Sequence, residues 1–427
     1  MEIELKGGRR GLKGEVTPPP DKSISHRAIM FSSLAKGRSV VRNFLRAEDT
    51  LSTMSVFRSL GVDITDGAEV VINGAGLHGL RESTRVLDCG NSGTTMRLMS
   101  GVLSGNPFLS VLTGDDSLSR RPMGRVISPM RMMGATIMAR DADKYPPMAI
   151  RGGGLRAMRY EMPVASAQVK SCVLLAGLYA DGTTEVIEKV RSRDHSERML
   201  PAYGAKLAVN GLSVKVTGGA ELKAMDVTVP NDFSSAAFFM VAGVIVPGSE
   251  IMIRNVGMNP TRTGLLDVLK RMGANIEVMN AREVSGEPVA DLLCKHSALK
   301  ATSVGEDEIP ALVDEVPILA IAASVAEGVT KITGAHELRV KESDRIAAMA
   351  AGLRAMGISV EEHEDGMSVE GKGALKGATV NSVGDHRIAM SFAVASLVAD
   401  GTTKIEGAEA VSISYPGFFD TLKGLTG

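Results

Sequence analysis

The sequence predicts an α/β protein of two similar domains, with buried helices inside and sheets outside. Three observations predict it. A stretch of small and apolar residues runs six times into a glycine and then a β-rich segment, at Gly37, Gly105, Gly182, Gly248, Gly328 and Gly401, spaced by 68, 77, 66, 80 and 73 residues. A second mark follows each glycine by 22 to 29 residues: Leu60-Gly61-Val62, Met133-Gly134-Ala135, Tyr203-Gly204-Ala205, Met272-Gly273-Ala274, Met356-Gly357-Ile358 and a weaker Leu422-Lys423-Gly424. Strand-like and helix-like stretches alternate throughout, which is α/β patterning. The chain reads as about six copies of one unit.

Each copy runs in the same order. A helix of small and apolar residues opens it, as in Arg387 to Ala399. An acidic or small residue and then Gly stop that helix. A short β run follows, such as Thr402-Thr403-Lys404-Ile405, then an amphipathic helix such as Thr263 to Met272. Alternating strands such as Asn275-Ile276-Glu277-Val278 close the copy. The opening helices, among them Phe233 to Val246 and Ile318 to Val325, carry no polar stripe. A helix apolar all round is buried. The sixth copy lacks closing strands, and Met1 to Pro20 has a strand-like start without a helix, so this run is expected to complete it. That places residues 1–20 with 230–427 in one domain and makes 21–229 an inserted domain of three copies. The crossings near Pro18-Pro19-Pro20 and Pro230-Asn231 would form a two-strand hinge.

Composition narrows the function. A chain of 427 residues exceeds one ordinary core. A formal net charge of −1 leaves no electrostatic footprint for nucleic acid or an anionic membrane. Trp is absent and aromatics are 4%, which argues against base-stacking platforms. Cys89, Cys172 and Cys294 show neither CxxC nor metal spacing, so neither a disulfide framework nor a metal site is expected. No apolar run reaches the roughly 18 residues of a membrane span, and the first residues lack a signal-peptide pattern. A cytoplasmic protein without cofactor is expected.

The chemistry gathers at the fronts of the opening helices. They read Asp21-Lys22-Ser23-Ile24-Ser25-His26-Arg27, Asn91-Ser92-Gly93-Thr94-Thr95, Ser166-Ala167-Gln168, Asn231-Asp232-Phe233-Ser234-Ser235, Asp314-Glu315 and Gly384-Asp385-His386-Arg387. Helix N-termini bind anions through unpaired N–H groups and the dipole. Each front also has capping residues, and Asp21 and Asn231-Asp232 read as caps. Lys22, Arg27 and Arg387 are different. A cation at a helix N-terminus opposes the dipole and calls for an anion or a carboxylate partner. Loops add Arg120-Arg121, Arg191, Arg193, Lys341 and Arg345. If the fronts converge, these cations suit a substrate with several phosphates and carboxylates. Asp314, Glu342 and Asp344 sit among them. Each could act as general acid or base, or only orient an arginine. Walker and dinucleotide fingerprints are absent, and His195 reads as a structural loop histidine.

The motifs DKSISHRA, LDCGNSGTTMRL, SLSRRPM, PVASAQVKS, SRDHSERML, DEVPILA, RVKESDR and GDHRIAM, in this order along nearly the whole chain, resemble those of the 5-enolpyruvylshikimate-3-phosphate synthase family. The resemblance implies a two-domain inverse α/β barrel of six βαβαββ units, three per domain. It implies transfer of the enolpyruvyl group of phosphoenolpyruvate to the 5-hydroxyl of shikimate 3-phosphate, with release of phosphate. It implies that Lys22, Ser23, Arg27, Ser166, Ala167, Gln168, Arg193, Asp314 and Lys341 hold shikimate 3-phosphate. Lys22, Gly93, Arg121, Gln168, Arg345 and Arg387 would hold phosphoenolpyruvate. Asp314 would take the hydroxyl proton, and Glu342 or Lys22 would protonate the methylene carbon. The expected partners are these two small molecules, with no nucleic acid and no membrane, and the expected state is a monomer. Two positions depart from the common pattern. Many members carry a Lys just before the aromatic-Pro pair, where this chain has Ile413 and Ser414 before Tyr415-Pro416. The second front reads Asn91-Ser92-Gly93-Thr94 in place of Asn-Ala-Gly-Thr. Gly93 leaves room for a ligand longer than phosphoenolpyruvate, and competitive inhibition by glyphosate is expected.

The nearest rival is UDP-N-acetylglucosamine enolpyruvyl transferase, which would carry Lys-Asn at the first front and a reactive loop Cys. This chain has Lys22-Ser23 and no such Cys. An RNA 3′-phosphate cyclase-like protein would need a nucleotidylated His and a basic face. A non-catalytic phosphometabolite-binding protein would turn Asp314 and Glu342 away from the site.

Overall fold

The computed structural model describes residues 1–8, 11–371 and 373–425. The chain divides into two compact units. The inserted unit comprises Pro20–Val229 with Val284–Glu287, and the flanking unit comprises Met1–Pro19, Pro230–Glu283 and Pro288–Gly427. Each unit has a hydrophobic core of its own.

Six buried helices organise the cores. In the inserted unit they are α1 (Lys22–Leu34), α2 (Gly93–Ser104) and α3 (Ala167–Gly177). In the flanking unit they are α4 (Phe233–Ile245), α5 (Val316–Val325) and α6 (His386–Val398). Every residue of α4 is buried, as its lack of a polar stripe requires. Five fronts are capped by a side chain. Asp21 accepts from the Ile24 N–H at 2.8 Å, Ser92 from Thr95 at 3.1 Å, Ser166 from Val169 at 3.4 Å, Asp232 from Ser235 at 3.0 Å and Asp385 from Arg387 at 2.9 Å. The fifth front departs from expectation. Asp314 lies in a 3₁₀ turn, Val313–Glu315, and Glu315, at the cap position of α5, makes no side-chain cap bond. The Asp314 carboxylate meets cations instead.

The glycine marks act differently from simple helix stops. Only Gly105 is a C-cap residue. The other five follow the helix end by one or more residues in left-handed conformations, with φ from 74° at Gly248 to 111° at Gly37. They turn the chain from helix into strand, where a side chain would be strained. The second marks are true helix ends. Gly134 closes Gly124–Met133 at φ 110°, and the Ala135 N–H bonds back to the Met130 carbonyl at 3.1 Å.

The sheets repeat one plan. In the second copy Leu87–Asp88 runs parallel to Leu109–Thr113, which is antiparallel to Tyr145–Arg151, which in turn is antiparallel to Thr136–Ala139. The strand before the core helix thus pairs with the strand after it, and the closing hairpin lies beyond. The third and fifth copies have the same order. The first and fourth borrow their opening strand. Val227–Thr228 pairs with Lys36–Arg42, and Lys13–Val16 pairs with Glu250–Gly257, both parallel. Glu2–Lys6 pairs antiparallel with Thr402–Glu406 in the sixth copy. The N-terminal run therefore does not complete the sixth copy alone, as its sequence suggests. It is shared with the fourth, because the residues just ahead of α4 close the first sheet. Among the described residues no helix is long and apolar enough to cross a membrane.

Candidate active site

In the inserted unit the fronts of α1, α2 and α3 bring polar groups together. Lys22, the first residue of α1, is half-buried with Nζ 3.0 Å from Asp49 Oδ2. The dipole conflict at this front is thus answered by a carboxylate from the helix Glu48–Ser59. Arg27 lies one turn further on and is 3% exposed. Its Nε donates to Ser196 Oγ at 2.8 Å, its Nη2 to Ser171 Oγ at 2.8 Å and its Nη1 to the Ser23 carbonyl at 3.0 Å. Burial pushes this guanidinium down to about 10, with Glu197 opposing. Arg193, which is half-buried, adds a like charge that lowers it further.

Gly93 opens α2. A Cβ built there would lie 3.0 Å from Arg97 Nη1 and 3.6 Å from Arg121 Nη1. Arg121 is held by Asn91, with Nη2 2.7 Å from Oδ1, and by Ser117 Oγ at 3.1 Å. Gln168, at the start of α3, accepts from Arg97 Nη1 at 2.6 Å and donates to Thr94 Oγ1 at 3.0 Å. Ser166 caps the same helix and Ala167 begins it, half-buried. Arg120 and Arg191 are exposed, and Arg191 bonds the Gly211 carbonyl. His195 is buried with Nδ1 2.8 Å from Glu287 Oε1.

In the flanking unit the fronts of α5 and α6 meet the turn that precedes the helix Arg345–Ala355. Arg345 is 1% exposed and reaches three carboxylates. Its Nε lies 2.8 Å from Asp385 Oδ2, Nη2 2.6 Å from Glu342 Oε2 and Nη1 3.3 Å from Asp314 Oδ1. Burial alone would depress this guanidinium, yet Asp385, Glu342 and Asp314 outweigh it and raise its pKa. Arg387 Nη1 donates to the Asp314 carbonyl at 3.1 Å, and its Nη2 is 3.9 Å from the Asp314 carboxylate. Lys341 Nζ is 3.9 Å from Asp314 Oδ1 and 3.4 Å from Glu337. Asp314 thus has three cations around it. Asp344 caps the helix Arg345–Ala355 and pairs with Arg339 at 2.8 Å, so of the two open roles it takes the orienting one.

Several residues of these clusters were not singled out from sequence. Asp49 and Asn91 hold the cations of the inserted unit. Arg97 could have been found, since it follows Gly93 by four residues and shares its helix face. Asp385 caps α6 and also clamps Arg345 and accepts from Ser343. The Asn231-Asp232 front does have a cation. Arg262 comes from a neighbouring loop, is buried, lies 3.7 Å from Asp232 and donates to Ser234 Oγ at 2.5 Å. Ser234 also bonds Glu315, which lies 3.8 Å from Arg387.

Known proteins resemble this chain in sequence and in fold. The family model for EPSP synthase (3-phosphoshikimate 1-carboxyvinyltransferase) matches residues 6–422. A 3-phosphoshikimate 1-carboxyvinyltransferase of Thermodesulfovibrio yellowstonii is 54% identical over 418 residues, covering 97% of each chain. One from Bacillus cereus is 54% identical over 425 residues, covering 99% of each. The solved EPSP synthase of Acinetobacter baumannii superposes with a TM-score of 0.90 at 47% identity, over 100% of this chain and 98% of that one. The enolpyruvyl transferase NikO of Streptomyces tendae, at 19% identity and a TM-score of 0.80 over 99% of this chain and 96% of that one, shares the fold. This chain belongs to the EPSP synthase family.

Proposed function

We propose that this protein transfers the enolpyruvyl group of phosphoenolpyruvate to the 5-hydroxyl of shikimate 3-phosphate and releases phosphate. The observation that carries this reading is the Asp314 carboxylate ringed by Lys341, Arg345 and Arg387, with Glu342 on Arg345. A carboxylate so placed can accept a proton while the cations hold anionic substrate groups. Asp314 takes the proton of the 5-hydroxyl as its oxygen bonds C2 of phosphoenolpyruvate. Glu342 or Lys22 delivers a proton to the methylene carbon, giving a tetrahedral intermediate. Loss of a proton from the new methyl group then restores the double bond as the C2–O bond to phosphate breaks. Arg345 donates to Glu342 at 2.6 Å.

Lys22, Ser23, Arg27, Ser166, Ala167, Gln168, Arg193, Asp314 and Lys341 are assigned to shikimate 3-phosphate in this reading. Lys22, Gly93, Arg121, Gln168, Arg345 and Arg387 are assigned to phosphoenolpyruvate. Arginine forks suit both carboxylate and phosphate. The test is release of phosphate from phosphoenolpyruvate that depends on shikimate 3-phosphate. Asp314→Ala and Glu342→Ala should each lower kcat by about 10²-fold or more, with smaller effects on KM. Near-normal kcat in both variants would sink these roles, and activity on UDP-N-acetylglucosamine alone would sink the whole reading.

A further inference from the structure

Lys170 is fully buried in α3, and its ammonium bonds groups that are not assigned to substrate. Its Nζ lies 2.8 Å from Glu188 Oε2, 2.6 Å from Glu197 Oε1 and 3.3 Å from the Ser192 carbonyl. Glu188 follows the strand Thr183–Ile187 directly, and Glu197 lies in the helix His195–Ala202. The segment between them carries Arg193. Glu188 Oε1 also accepts from the Ser192 N–H at 3.1 Å and from the Ser192 hydroxyl. The lysine and its glutamate therefore cinch the loop at both ends, up to the residue before Arg193. The next residues along both helices repeat the link. Ser171 Oγ lies 2.7 Å from Ser196 Oγ, and these two hydroxyls receive Nη2 and Nε of Arg27. Lys170–Glu197 and Ser171–Ser196 are adjacent rungs of one ladder, and Arg27 hangs on the second.

We infer that Lys170 is a positioning residue that sets both Arg193 and Arg27 for the shikimate 3-phosphate side of the reaction. A desolvated ion network of this kind adds little stability over an apolar replacement. What it supplies is geometry, and small misplacements of binding groups are costly to function. This inference rests on the functional reading above for its substrate.

Lys170→Met alone strands Glu188 and Glu197 in the interior and is expected to unfold. Lys170→Met with Glu188→Gln and Glu197→Gln removes the lysine and both unmatched charges together, and the amide oxygen that Glu188→Gln leaves can still accept from Ser192. In that triple variant, folded by circular dichroism, KM for shikimate 3-phosphate should rise about ten-fold or more while KM for phosphoenolpyruvate stays within about two-fold. An equal rise in both, or no rise in either, overturns the inference. Hydrogen exchange separates its failure from failure of the functional reading. The Ser192 amide should exchange at least about ten-fold faster in the triple variant. If the wild-type protein shows no phosphate release dependent on shikimate 3-phosphate, the functional reading falls and exchange alone decides. Equal protection of residues 188–194 in both proteins then overturns the positioning role.

Discussion

A methyl group added at Gly93 has two effects, and only one of them concerns ligand space. The new Cβ would sit 3.0 Å from Arg97 Nη1, the atom that holds Gln168. That contact is tighter than van der Waals, and the flexible guanidinium has to yield. Gly93→Ala should therefore weaken competitive inhibition by glyphosate by about ten-fold or more, and it should also disturb Gln168. Inhibition constants for the two forms check this, and equal values would count against it. His26 gives a pH-dependent prediction. Burial lowers its pKa from 6.5 to about 3, with Asp49 opposing and Lys22 and Arg27 reinforcing. Its ring is 2.6 Å from Thr53 Oγ1. A base whose folded pKa lies below its unfolded one takes up a proton on unfolding. Its neutral burial is without charge penalty above pH 6.5, and stability is lost as pH falls from there toward 3. Between pH 7 and pH 5 this group alone should cost about 2 kcal/mol. Urea unfolding of wild type and His26→Asn at the two pH values tests it, and equal pH slopes would refute it. At this scale the cations at helix fronts were readable because they oppose the dipole. Asp49 and Ser196 were not readable, since a partner far away in sequence leaves no local trace.

The buried helices were legible because a stretch such as Phe233 to Val246 cannot face water anywhere. Their close approach was hinted at by small residues, and one contact shows why those residues are needed. Gly101 of α2 packs on the backbone of α3, where an added Cβ would fall 2.2 Å from the Cys172 carbonyl oxygen. The obstacle is backbone and cannot rotate aside. Gly101→Ala should thus destabilise the inserted unit by about 1–3 kcal/mol or more through forced separation of the helices. Denaturant midpoints of wild type and variant measure this, and an unchanged midpoint would show that the pair can slide apart freely. The fifth front differs from the other five at the same scale. Asp314 stands where a cap would by position, but the 3₁₀ turn at Val313–Glu315 intervenes, Glu315 takes the cap position, and the Asp314 carboxylate meets Lys341, Arg345 and Arg387. A pattern of residue types marks where a helix begins. It does not say whether the first turn is α or 3₁₀, and at Asp314 that difference separates a cap from a candidate base.

Six repeats are visible in the chain because the left-handed glycines recur where each helix turns into a strand. The sharing of strands between copies is not visible, because Lys13–Val16 and Glu2–Lys6 choose partners hundreds of residues away. That sharing leads to a prediction about the inserted unit. All residues of one hydrophobic core lie between Ile24 and Val229, and Val227–Thr228 supplies the opening strand of the first sheet. A fragment of residues 20–229 should therefore fold by itself and unfold cooperatively in urea. It lacks Glu287, so the buried His195 loses its partner, and the fragment should pay about 1–3 kcal/mol for that. A shorter fragment ending at residue 224 also loses the opening strand and leaves the edge of Lys36–Arg42 unpaired, so it should melt at a lower temperature than the longer one. Circular dichroism melts of both fragments decide the matter. A non-cooperative transition in the longer fragment would show that this core does not stand alone. Equal melting temperatures would show that the borrowed strand adds nothing to it.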